Sequence, residues 1–85
     1  MHVMAVSTTT NDTQYWSALK RAHGKLPRGS TWSLAVSSTD GTRAVNVVTG
    51  DSVDGVRAFF EAHAGSYATT EYFEADAANA VGLAR

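Results

Sequence analysis

Apolar positions along the chain change period several times, and each change marks an element. "HVMAVST" alternates, with His2, Met4 and Val6 on one side and Val3, Ala5 and Ser7 on the other. Period-two alternation around β-branched residues predicts a first strand. Both of its faces are apolar, so the pattern does not choose which one is buried. "TTNDT" then supplies helix N-cap residues. From Tyr15 the period becomes helical, with Trp16, Leu19 and His23 on one stripe and Ala22 beside them. Gly24 stands where a left-handed residue ends a helix, and Pro27 forbids simple continuation.

"TWSLAVSS" predicts a second strand, with Trp32, Leu34 and Val36 sharing a face. "TDGT" follows, and Asp-Gly between two alternating runs predicts a hairpin through a type I′ turn. "RAVNVVTG" is then the third strand, with Val45 and Val47 opposite Ala44, Asn46 and Val48. Asp51 or Ser52 caps a second helix, whose stripe is Val53, Val56, Phe60 and His63 with Phe59 alongside. Gly65 ends it, and "YATTEYFEAD" reads as the fourth strand. The tail 76–85 fits a short helix or an extended arm equally well.

The predicted order is β-α-β-β-α-β, an α+β ferredoxin-like plan with both helices on one face of a four-stranded antiparallel sheet. The other face needs solvent, a ligand or a second copy to cover it. The apolar residues Trp32, Leu34, Val36, Val45, Val47 and Phe73 are assigned to the helix side. That turns Ser33, Ala35, Ser37, Asn46, Tyr72 and Glu74 outward, with Ala44, Val48 and Thr70. Such a mixed face suits a partly wet interface or a lined cavity.

The order resembles that of the dimeric α/β-barrel superfamily, in which two ferredoxin-like protomers set their sheets face to face. The stretch "LPRGSTWSLAVSSTDGTRAVNVVTGDSVDGVRAFFEAHAG" is similar to small single-domain bacterial proteins of that superfamily. The resemblance implies a homodimer through the open sheet face. It also implies an alternative as a cofactor-independent enzyme of the monooxygenase, cyclase or isomerase type, acting on a small apolar or aromatic substrate between sheets. None of the superfamily's catalytic constellations maps onto these residues.

Length and composition narrow the rest. Eighty-five residues make one domain, 1–85, with a small core. The chain has no cysteine, so disulfides and thiolate metal sites are excluded. A net charge of -1 does not call for nucleic acid or an anionic membrane surface. The N-terminus lacks the basic start and apolar run of a signal peptide, and no stretch reaches a membrane span. The cytoplasm is the expected compartment.

Two candidate sites follow. Ser33, Asn46, Tyr72 and Glu74 on the outward face form a candidate small-molecule site, with Tyr72 or Glu74 as acid or base in the enzyme reading. His2 and His23 belong to the same end of the sheet and, with an added carboxylate, are candidates for a nickel, zinc or copper ion. Otherwise His23 and His63 finish helices, where imidazole suits the free carbonyls and the dipole. Other chemistries lack their residues. There is no C-x-x-C for soft metals, no stacking aromatics on the third strand for RNA, and no glycine-rich phosphate loop.

Overall fold

The computed structural model describes residues 1–83. It contains β1 (His2–Thr9), α1 (Asp12–His23), β2 (Trp32–Ser37), β3 (Arg43–Thr49), α2 (Val53–Ala64) and β4 (Ala68–Ala75). All neighbouring strands are antiparallel, in the order β2-β3-β1-β4. This is the ferredoxin-like arrangement. Among the described residues, no helix is long and apolar enough to cross a membrane.

The helices start where the sequence indicates. Asn11 Oδ1 accepts from the Gln14 N–H, and Ser52 Oγ accepts from the Gly55 N–H. They end differently from expectation. Gly24 and Gly65 are right-handed, with φ of -74° and -61°, and their N–H groups bond back to Ala22 and Glu61 carbonyls. A tight final turn satisfies those acceptors without a left-handed residue.

The hairpin also departs from type I′. Only Gly41 has positive φ, 75°, and Asp40 does not. The Gly41 N–H bonds the Ser38 carbonyl, and the Ser38 N–H bonds the Arg43 carbonyl. This is a longer loop built around a right-handed turn. Asp40 holds it together, accepting from the Ser38 hydroxyl, the Thr42 hydroxyl and the Thr42 N–H. Gly41 is required by its φ, whereas the exposed Asp12 carboxylate that a Cβ would meet there can swing aside.

These bonds, led by the Ser38 hydroxyl, hold the Asp40 carboxyl down at about 2 against an ordinary 3.8. A depressed folded value means that the ionised loop is favoured above the ordinary value and loses that advantage as pH falls through about 2. An NMR titration of the Asp40 side chain should therefore find its midpoint near 2. A midpoint at the ordinary carboxylate value would mean that the three donors do not engage it in solution.

The largest departure is which face of the sheet the helices cover. Val3, Ala5 and Ser7 lie beneath them, and pairing carries that face across to Val48, Asn46 and Ala44 on β3 and to Glu74, Tyr72 and Thr70 on β4. The open face holds Met4 and Val6, Val45 and Val47, and Glu71 and Phe73. The expected assignments of β3 and β4 are thus reversed. On β2 the expectation holds for Trp32 and fails after it. The register shifts between Trp32 and Leu34, leaving Ser33 as an extra residue. That bulge turns Leu34 and Val36 to the open face while Trp32 stays against the helices.

The core lies between sheet and helices, around Val3, Tyr15, Leu19, Val48, Val56 and Phe60. The α1 stripe is also rotated by one position. Tyr15 is buried, whereas Trp16 is only half-buried and His23 is exposed. Trp32 forms the aromatic hub of the α2 side, meeting Phe60 at 5.3 Å and Phe59 at 6.4 Å, both edge-on.

Candidate functional site

The four residues proposed for one outward site lie in different surroundings. Asn46 is fully buried under the helices. Its orientation follows from its partners. The Trp32 indole N–H is donor-only and is 3.0 Å from Asn46 Oδ1. The Asn46 amide nitrogen is therefore the atom that donates to the Tyr15 hydroxyl, also at 3.0 Å. Ser7 Oγ is 3.0 Å from the Tyr15 hydroxyl and 2.8 Å from Thr70 Oγ1, and in each pair either hydroxyl can donate. One hydrogen-bonded chain thus joins Trp32, Asn46, Tyr15, Ser7 and Thr70, touching all four strands and α1. Burial pushes the Tyr15 phenol up, with its bonds to Ser7 and Asn46 acting the other way.

Tyr72 also faces the helices. Its hydroxyl donates to Glu61 Oε2 at 2.5 Å, and Arg57 lies over its ring at 5.4 Å from the centroid. Burial, then the Glu61 bond and charge, push its phenol well up, so it is a proton donor at neutral pH. Glu74 is exposed and lines a hollow with His2 and Asp76. Neither of the acid-or-base candidates stands on the open face.

The histidine pair is separated as well. His2 shares the open-face side of β1 with Met4, whereas the His23 ring lies on the helix side against Trp32 at 5.7 Å. The sheet stands between them. No three His, Asp or Glu side chains converge to hold a metal among the described residues. The helix-end reading of the imidazoles fits better. His23 is the last residue of α1, and His63, near the end of α2, packs on Phe59 at 4.6 Å.

Two features of the surface remain. The first is the open face. One row across all four strands reads Leu34, Val47, Met4, Phe73, and the next reads Val36, Val45, Val6, Glu71. Seven of those eight positions are apolar. Leu34, Val36 and Phe73 are each about half exposed, at 45%, 49% and 45%. Arg43 closes this face, its guanidinium bonding the Thr8 hydroxyl at 3.3 Å. Part of the tail runs beside the same face. A short 3₁₀ turn, Ala77–Asn79, leads to residues 80–83, which border a hollow over Met4, Leu34 and Val47. Residues 84–85 lie outside the described residues.

The second feature is a cleft of about 290 Å³ between α1 and the edge strand β2. Trp16, Leu19, Trp32 and Ala35 supply apolar walls, and Lys20 and His23 stand on the α1 side. Ser33, the extra residue of the bulge, also lines it. Its hydroxyl oxygen is buried and has no hydrogen-bond partner. The sequence offers both Ser33 and His23 as candidates, but in two different sites.

Comparison with known protein families, curated proteins and solved structures found no match to this chain.

Proposed function

We propose that this protein is a small homodimeric binding protein whose two sheets meet face to face. The observation that carries the reading is the open face, with seven apolar side chains in two rows that span every strand. Leu34, Val36 and Phe73 stay half exposed in the single chain, and contiguous apolar patches mark association sites. The occupant that fits is a second copy. A twofold axis along the strands sets β3 over the other copy's β1, and β2 over its β4. The two charged side chains of this face among the described residues, Arg43 and Glu71, have opposite signs. That axis sets each Arg43 one strand across and one row along from the other copy's Glu71, near enough for the long Arg43 side chain to approach it. Self-complementarity of this kind is what a symmetric interface requires.

Light scattering after gel filtration at micromolar concentration should give twice the chain mass of 9.0 kDa. A mass of one chain across that range would sink the proposal.

A further inference from the structure

We infer that the cleft between α1 and β2 binds a small aromatic carboxylate. This assignment rests on the binding-protein reading but not on dimerisation, because the cleft opens at the sheet edge between α1 and β2, and Leu34 alone of its lining belongs to the open face. The walls define the apolar part. Trp16 and Trp32 offer aromatic surface to a planar ring, with Leu19 and Ala35 closing the slot. The volume of about 290 Å³ suits one or two fused rings.

The polar groups define the other part. Lys20 brings an ammonium to the side of the slot, and His23 brings a ring N–H. No carboxylate lines the cleft, so an anionic head meets only donors there. Ser33 supplies the third contact. A buried hydroxyl without a partner costs stability, and chains retain few of them. Here the orphan sits on the one residue that the bulge adds to β2, where it borders the cleft. Ser33 stands in the wall shared by the cleft and the hollow over Met4, Leu34 and Val47, and a turn of its side chain toward the cleft would let a carboxylate oxygen accept its hydrogen.

The probe is 2-naphthoate, with neutral 2-naphthalenemethanol as its isostere, followed by the two indole N–H resonances in heteronuclear NMR. Saturable binding of naphthoate that moves both tryptophan signals is expected, with the alcohol weaker by roughly tenfold, as a charge-assisted contact implies. Lys20→Met keeps the apolar stem and should weaken naphthoate roughly fivefold while leaving the alcohol unchanged. Ser33→Ala separates binding from structure. It should weaken naphthoate about fivefold yet leave the melting temperature of the free protein equal or higher, because it removes a group with no partner. A binding-neutral Ser33→Ala, equal affinity for acid and alcohol, or no saturable binding would each overturn the assignment. A dimer that fails to bind naphthoate overturns the cleft and leaves the face-to-face reading standing.

Discussion

Replacing Asn46 by alanine should cost about 3–5 kcal/mol, the largest loss expected from any single polar residue here. The change strips the acceptor from a donor-only indole and the donor from a buried phenol. Each stranded group costs about 1–3 kcal/mol, and a small void adds to it. A domain of this size holds roughly 4–13 kcal/mol in all, so the variant stands near unfolding. Urea denaturation should be run at one fixed protein concentration, because a dimer's midpoint moves with concentration. The result also decides between two placements of the residue. An outward Asn46 would cost under about 0.5 kcal/mol on replacement. A loss that small would restore the face assignment that the apolar pattern suggests.

The second large effect concerns assembly. Val36→Asp should raise the dimer dissociation constant by at least about a hundredfold, or nearly 3 kcal/mol. Val36 is half exposed and lies on an edge strand, so the monomer should keep its fold and its far-ultraviolet circular dichroism. In the proposed face-to-face dimer it would lie opposite Glu71 of the other copy, and the contact would occur twice. Aspartate there sets acid against acid in a drying interface. Val36→Lys, which meets the same glutamate with the opposite sign, should retain far more of the dimer. Sedimentation equilibrium of both variants checks the axis as well as the surface. Equal affinities for the two would reject this axis, and a wild-type constant for Val36→Asp would reject the surface itself.

Element order, both N-caps and the α2 stripe were legible because they depend on neighbours within a few residues. The faces of the sheet were not. β1 is apolar on both sides, so alternation there says nothing about which side is covered. On β3 the branched Val45 and Val47 looked like core, yet the smaller Ala44 and the buried Asn46 lie beneath the helices. Asn46 can do so only because Tyr15 and Trp32, 31 and 14 residues away, satisfy it. The bulge at Ser33 carries no glycine or other local sign. On α1, Tyr15 and Trp16 are adjacent aromatics about 100° apart, and choosing between them requires knowing what the sheet offers. Ser33 and His23 were picked out as chemistry-bearing residues, but their shared cleft exists only once the bulge has placed β2 against α1.

The buried hydrogen-bonded chain also guards the register of the sheet. A strand that slips by two residues keeps its inward and outward sides, so a sheet rich in valine on both faces barely registers the error. The polar thread does register it. It links β2 to β3, β3 to α1, α1 to β1 and β1 to β4 in turn, and Trp32 at its head cannot accept, so the Asn46 amide is held in one orientation. Any such slip strands at least one buried donor. The five residues act as alignment marks, rejecting misregistered folds that hydrophobic packing alone would tolerate.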